Sequence, residues 1–187
     1  MLNELDDRLS VVKRWGIMRT IQTQSVAEHA FNVQRICVRI APWFKLRDMC
    51  ELFALSQGAL HHDDVEALTG DIPTYAKYYL RENEKIVDTD AGAWYDGLPD
   101  NLKAIIKLAD LLEAFNFLAI EVKMGNRYVI KHRSGLRQKI HDFIREQNWP
   151  TVVEAECRSW MVEAELEPSR IYGRREHGLS GSAEEGA

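Results

Sequence analysis

The fold class is set by residues 100–124, DNLKAIIKLADLLEAFNFLAIEVKM. Asp100 is a suitable N-cap and Gly125 stands where a helix would stop. Between them, apolar residues recur every three or four positions, which is the period of a buried helix: Leu102, Ile105, Ile106, Ala109, Leu112, Phe115, Leu118 and Ala119. We therefore predict a helix from Asp100 to Met124.

Helical patterns also cover much of the chain on either side. Ser25 and Glu28 form a capping box in front of an apolar-periodic stretch, so a helix is expected over 26–41. Similar patterns predict helices over about 47–62, 74–87, 127–147 and 152–166. The stretch 88–99 lacks periodicity and is expected to be a loop, and no alternating run is long enough for a strand. The predicted fold class is all-α: a compact single-domain helical bundle.

Composition limits the classes of protein that the chain can represent. A length of 187 residues suits one domain, here expected over 1–175 with a disordered tail over 176–187. The net charge of −5 disfavours a protein that binds nucleic acid polymers. No apolar stretch approaches the ~18–20 residues of a membrane span, and the charged N-terminus is unlike a signal peptide, so a cytoplasmic location is expected. The three widely spaced cysteines are interpreted as reduced thiols.

Asp110 is the most informative polar residue, because it interrupts the apolar pattern of the predicted central helix. Burying a carboxylate in a helical core costs several kcal/mol unless it is paired or bound to a metal. His29 lies in the predicted helix over 26–41, and His62-Asp63 stand at the end of the predicted helix over 47–62. Two imidazoles and two carboxylates from separate helices would form a mixed nitrogen and oxygen site. Such a site suits Mn²⁺, Fe²⁺, Co²⁺ or Zn²⁺.

The neighbours of the His-Asp pair add further acidic groups. Glu66 stands four residues after His62, on the same face if the helix continues, and Asp71 follows. His61 would point about 100° away from His62 on a helix, so we assign it no metal role. An isolated His-Asp dipeptide is common by chance, so the prediction of a metal site depends on the two histidines and the acidic residues taken together.

Four ordered blocks between residues 12 and 124 resemble a known family. They are RWGIMR at 14–19, SVAEH at 25–29, HDDVEALTGDIP at 62–73 and KLAD at 107–110. The chain resembles the HD-domain phosphohydrolases, and within them the YfbR-like 5′-deoxynucleotidases, to which phage dATP triphosphohydrolases are related. One departure is Thr74-Tyr75, where relatives tend to have Thr-Pro, and this leaves the base preference open.

The resemblance implies a role for each matching residue. It implies that one divalent transition metal (Co²⁺, Mn²⁺ or Zn²⁺, with Fe²⁺ also possible) is held by His29, His62, Asp63 and Asp110. It places Glu66 and Asp71 in the catalytic shell, and it implies substrate contacts by Arg14, Trp15, Ile17, Lys77 and Lys107. From the residues alone, Trp15 and Ile17 could instead fill the core, and the lysines could be solvated surface charges. His132, His141 and His177 lie beyond the match and are expected to be exposed.

The implied reaction is metal-dependent hydrolysis of the 5′ phosphate ester of a 2′-deoxyribonucleotide, which releases the deoxynucleoside. The main expectation is a 5′-deoxynucleotidase acting on monophosphates, and the alternative is a triphosphohydrolase acting on a substrate such as dATP. A non-catalytic nucleotide sensor is the alternative of another class. A di-iron oxygenase would need more histidines, and after Asp63 the sequence differs from (p)ppGpp hydrolases.

A homo-oligomer is also expected from the resemblance. Apolar residues near the C-terminus would either bury between subunits or close the core of one chain: Trp149, Val152, Val153, Trp160 and Met161.

Overall fold

The computed structural model describes residues 2–72 and 93–167, and the elements in these two ranges are helical. We number the α-helices in chain order: α1 (Leu2–Val11), α2 (Val26–Ile40), α3 (Met49–Leu60), α4 (Glu66–Thr69), α5 (Ala93–Asp96), α6 (Asp100–Lys123), α7 (Ile130–Glu146) and α8 (Thr151–Leu166). Two 3-10 turns, Ala41–Phe44 and Arg127–Val129, extend α2 and precede α7. Across the described ranges the only β contact is an isolated bridge between Lys13 and Ser25. The all-α prediction is therefore confirmed.

Helix α6 is the centre of the bundle, as its apolar pattern predicts. It packs against α2, α3, α7 and α8, and its side chains are buried on almost every face. Leu108, Leu112 and Phe115 are fully buried in the main core. Gly125 adopts φ 96° directly after the helix, a conformation that glycine takes at little cost. Both ends of α6 thus lie within a residue or two of the predicted bounds.

Helix α2 crosses α6 and begins at the predicted capping box. The Ser25 side chain accepts the backbone N–H of Glu28, and the Glu28 carboxylate accepts that of Ser25. Its buried face carries Val33 and Ile36 into the main core and His29 towards α6. The N-cap therefore fixes where His29 enters the bundle.

The C-terminal helices close the core of this one chain. Val153, Trp160 and Met161 are buried against α6, and Trp160 Nε1 donates a 3.0 Å hydrogen bond to Asn116 Oδ1. Trp149 is partly buried against the same cluster, and only Val152 is half exposed. These side chains were expected either to bury between subunits or to close a monomer core, and for all but Val152 the second alternative holds.

Several predicted segments lie outside the described residues or differ from expectation. The predicted helix over 74–87, the first part of the predicted loop 88–99 and the tail 176–187 lie outside the described residues. Part of that loop is instead the helical turn α5, after which Leu98 joins the core because it packs over Gly58 of α3. In the described part of the chain, the structure has no helix with the length and apolarity of a membrane span.

Candidate metal centre

Three helices bring two histidines and two aspartates together. His29 comes from the first turns of α2, and Asp110 from the middle of α6. Helix α3 ends at Leu60, and the turn that follows it carries His62 and Asp63. The four predicted metal ligands are therefore neighbours in space, although 81 positions separate the first from the last.

The distances between their ligand atoms are short and similar. His29 Nε2 lies 3.3 Å from His62 Nε2, 3.5 Å from Asp63 Oδ2 and 3.4 Å from Asp110 Oδ1. His62 Nε2 lies 3.3 Å from Asp63 Oδ2. The ligand atoms of His29, His62 and Asp63 all lie within 4.8 Å of one another, and Asp110 adjoins this group on the His29 side.

This spacing fits a divalent transition metal. Ligands held 2.0–2.1 Å from a tetrahedral ion are separated from one another by about 3.3–3.4 Å. Two imidazole nitrogens with carboxylate oxygens are also a donor set suited to Zn²⁺, Co²⁺ or Mn²⁺. Both the geometry and the chemistry of the donors are therefore those of a metal-binding site.

The other ring nitrogen of each histidine is held by the protein. His29 Nδ1 donates to Glu113 Oε2 at 2.7 Å, and His62 Nδ1 donates to the Ala59 carbonyl at 2.8 Å. Such outer hydrogen bonds fix the tautomer and leave Nε2 free to bind a metal. Glu113 and His29 are both fully buried, so solvent does not compete for this contact.

The charges of the cluster shift the pKa values of its members. Burial and Arg14 act to lower the pKa of His29, but Glu113 and Asp110 outweigh them and raise it to about 9. Burial lowers the pKa of His62. For Asp110, burial acts to raise the pKa, but Lys107 and His29 hold it well below its usual value. Asp110 is thus ionised, as a carboxylate that binds a metal must be.

Two cations adjoin the carboxylates. Lys107, one turn before Asp110 on α6, lies 2.5 Å from Asp110 Oδ2. The guanidinium of Arg14 lies 3.6 Å from Glu113 Oε2 and 3.9 Å from Asp110 Oδ1. Two of the predicted substrate contacts, Arg14 and Lys107, therefore lie beside the predicted metal ligand Asp110.

Trp15 is held in a strained position next to Arg14. Its φ of 64° is unusual for a bulky residue, and three contacts support it. Its backbone N–H donates to Asp71 Oδ2 at 2.9 Å, its Nε1 donates to Gln24 Oε1 at 3.1 Å, and its ring stacks on Phe117 with centroids 5.2 Å apart. The side chain thus has a fixed orientation at the rim of the site.

Besides Glu113, a second buried carboxylate, Glu121, contacts the loop between α1 and α2 that carries Arg14 and Trp15. Glu121, fully buried on α6, accepts the backbone N–H groups of Ile21 and Gln22 and the side-chain amide of Asn126. Because these bonds tie the loop between α1 and α2 to α6, they hold Arg14 and Trp15 near the metal ligands.

A cavity of about 620 Å³ opens onto the cluster. Its size is that of pockets that take small molecules. Most predicted site residues line it: Arg14, Trp15, Ile17, Asp63, Glu66, Asp71, Lys107 and Asp110. Lys77 lies outside the described residues. His61 is not among the residues that line the cavity, and its Nδ1 is hydrogen-bonded to Asp64 Oδ2 at 2.8 Å.

Some site residues were not found from the sequence. Glu113 lies three residues after Asp110 and therefore shares its face of the helix. The argument that a buried carboxylate needs a partner applies to Glu113 as well, so the sequence could have identified it. Gln24, buried between Trp15 and Glu113, gave no comparable signal. His132 is exposed, as expected, yet it lines the cavity with Lys139. His141 is partly buried, so the expectation that it is exposed is wrong, and His177 lies outside the described residues.

Comparison with known proteins places this geometry in a class. The structure is similar to a cyanophage S-2L HD phosphohydrolase described as bound to dA and one catalytic Zn²⁺ ion, with a TM-score of 0.72 and 21% identity over 89% of this chain and 95% of that one. The chain thus has the fold of the HD-domain phosphohydrolases.

Sequence similarity is more specific. A family model described as 5′-deoxynucleotidase YfbR-like matches residues 4–93. A dATP triphosphohydrolase of Acinetobacter phage SH-Ab 15497 is 30% identical to this chain, and the alignment covers 87% of this chain and 90% of the relative. A 5′-deoxynucleotidase of Erwinia tasmaniensis is 28% identical, covering 71% of this chain and 79% of the relative. The chain belongs to the YfbR-like family of HD phosphohydrolases, and the resemblance drawn from its four sequence blocks is confirmed.

Proposed function

We propose that this hydrolase cleaves the 5′ phosphate ester of 2′-deoxyribonucleotides and releases the deoxynucleoside. The observation that carries the proposal is the cluster of His29, His62 and Asp63, whose ligand atoms lie 3.3–3.5 Å apart, with Asp110 Oδ1 3.4 Å from His29 Nε2, at a cavity of about 620 Å³. The named activities of its relatives, dATP triphosphohydrolase and 5′-deoxynucleotidase, support the substrate class.

His29, His62, Asp63 and Asp110 would hold one divalent transition ion, with Zn²⁺, Co²⁺ and Mn²⁺ the first candidates and Fe²⁺ a further one. When bound, such an ion polarises a phosphoryl oxygen and lowers the pKa of a coordinated water. In the reaction as a whole, water adds to phosphorus, the bond from phosphorus to the 5′ oxygen breaks, and that oxygen gains a proton.

The cations of the cavity would bind the phosphate. Arg14 and Lys107 each stand beside Asp110, so a phosphoryl group at the metal ligands would lie within their reach. Their charges would offset the negative charge of the phosphoryl oxygens in the transition state. We propose Lys77 as a further phosphate contact, on the resemblance alone.

The remaining groups would handle the proton and the sugar and base. Glu66 is almost fully buried at the cavity wall, where it would protonate the leaving 5′ oxygen or orient the water. Asp71 would act mainly as a positioning residue, because it binds the backbone of Trp15. Trp15 and Ile17, which line the same cavity, would contact the base.

The test is product analysis with metal-stripped protein refilled with Co²⁺, Mn²⁺ or Zn²⁺ and offered dAMP, dATP, AMP and ATP in parallel. Release of deoxyadenosine with phosphate from dAMP would identify a 5′-deoxynucleotidase, and its release with tripolyphosphate from dATP would identify a triphosphohydrolase. Equal rates on the ribonucleotides would contradict the proposed substrate class. Binding without any turnover would replace the proposal with the nucleotide-sensor alternative.

We also propose a cytoplasmic location and a homo-oligomeric state. Large apolar side chains on α2 and α3, including Phe31, Val38 and Phe53, are more than half exposed, and a subunit contact would cover them. Light scattering that gives the 21.6 kDa mass of a single chain would contradict the oligomer.

A further inference from the structure

One face of α7 lines the same cavity as Asp63 and Asp110. His132, Gly135, Leu136 and Lys139 all line the cavity, and their spacing of three, four and seven residues puts them on one face of the helix. None of the four belongs to the sequence blocks that resemble the family. These four residues therefore have no role in the reaction proposed above.

Gly135 lines the cavity and carries no side chain. A Cβ at this position would meet no atom of the described residues within 4 Å, so packing does not require glycine there. Glycine in the middle of a helix costs up to about 1 kcal/mol relative to alanine. The absence of a side chain at Gly135 leaves this part of the cavity lining open.

Lys139 differs from the other cations of the cavity. Arg14 and Lys107 each pair with carboxylates of the metal centre. Lys139 makes no ion pair or hydrogen bond with any residue in 2–72 or 93–167. Its positive charge is therefore not neutralised within the described structure.

Lys139 also lies close enough to Lys107 to interact with it. Burial and the Lys107 ammonium lower the pKa of Lys139, while Asp110 acts to raise it. Two like charges that face one cavity repel each other unless an anion lies between them. Asp110 offsets part of this repulsion, and a phosphate chain that extends from Lys107 towards α7 would offset the rest.

We propose that Lys139 is a substrate-binding residue that contacts the outer phosphates of a deoxynucleoside 5′-triphosphate. Lys107 lies 2.5 Å from Asp110 and would contact the phosphate that is attacked. Lys139 lines the same cavity from α7 and makes no ion pair with Asp110, so it would contact phosphates farther along the chain. A monophosphate has no group to place there. The inference rests on the proposed function and selects the triphosphate as the preferred substrate.

The test compares Lys139→Met with Lys131→Met, a matched change of an exposed lysine on the same helix that does not line the cavity. Binding of inorganic tripolyphosphate and of orthophosphate is measured by calorimetry on metal-loaded protein, and kcat and KM are measured for dATP and dAMP. Loss of one charge-assisted contact predicts a roughly 10- to 100-fold weaker tripolyphosphate affinity in Lys139→Met. The KM for dATP should rise by a similar factor, with dAMP little changed and with Lys139→Arg restoring most of the loss.

Equal tripolyphosphate affinity in the two methionine variants would overturn the assignment. So would a wild-type protein that binds tripolyphosphate no more tightly than orthophosphate. Failure of the proposed function has a different signature: tripolyphosphate binding that depends on Lys139, in a protein that releases no deoxynucleoside. Circular dichroism of each variant establishes that it is folded.

Discussion

Glu113→Gln tests how the metal centre is held, because it removes a charge without changing shape. The Glu113 carboxylate accepts one hydrogen bond from His29 Nδ1 and one from Gln24 Nε2, both at 2.7 Å. An amide has only one accepting oxygen, so one of these donors would face an NH₂ group. Gln24 cannot simply turn over, because its own oxygen already accepts Trp15 Nε1.

The expected size of the effect follows from burial. Glu113 and His29 are both fully buried, so the charge-assisted contact is not screened by solvent, and its loss is worth about 1.5–3 kcal/mol. Since His29 is a metal ligand in our account, the metal affinity should fall roughly 10- to 100-fold. Arg14, 3.6 Å from the same carboxylate, also loses a partner.

The assay is competition for Zn²⁺ with a chromogenic chelator, with thermal denaturation of the metal-free protein measured alongside. Glu121→Gln is the matched control: this carboxylate is equally buried on the same helix, but it holds the Ile21–Gln22 backbone rather than a histidine. Both variants should be less stable, and only Glu113→Gln should lose metal affinity. The reasoning is refuted if the two variants bind Zn²⁺ equally well.

Three further predictions concern other parts of the chain. Asp71→Ala removes the acceptor of the strained Trp15 N–H and should raise the KM roughly tenfold with the metal content unchanged; an unaltered KM would contradict the positioning role. Because the pKa of His29 is about 9 before metal binds, Zn²⁺ binding at pH 7 should release about one proton and should strengthen as the pH rises towards 9; calorimetry in buffers of different ionisation enthalpy checks this, and binding that is independent of pH would refute it. Gly58→Ala should destabilise the fold by about 1–3 kcal/mol, because the new Cβ would lie 2.1 Å from Leu98 Cδ1, whereas Gly135→Ala should be neutral or stabilising; chemical denaturation that ranks them in the opposite order would contradict the packing.

Among the described residues, the sequence predicted α2, α3, α6, α7 and α8, but not the N-terminal helix α1. The capping box at Ser25 and the apolar period of 100–124 gave element bounds within two residues, because capping and burial act over one or two turns. The same rules did not show that Ala93–Asp96 forms a helical turn, since its register depends on Leu98 packing over Gly58, far away in sequence.

The same physical argument marks some residues of the candidate site in the sequence and leaves others unmarked. His29, His62, Asp63 and Asp110 were predicted as metal ligands because charge in an apolar setting demands a partner and because the blocks resemble a family, and the structure places them close together. Glu113 satisfied the same criterion and was overlooked, whereas Gln24 and Lys139 have no local pattern that marks them. The positions of Gln24 and Lys139 at the site follow from how the helices pack against one another, which local sequence patterns do not determine.

The most direct test of the account is a metal titration of chelator-stripped protein, with deoxynucleoside release from dATP and dAMP as the readout. We expect activity to rise until one divalent ion per chain has been added and then to level off, with Asp63→Ala inactive at every metal concentration. Full activity of the stripped protein, or an Asp63→Ala variant as active as the wild type, would contradict the assignment of His29, His62, Asp63 and Asp110 as the metal centre of a phosphohydrolase.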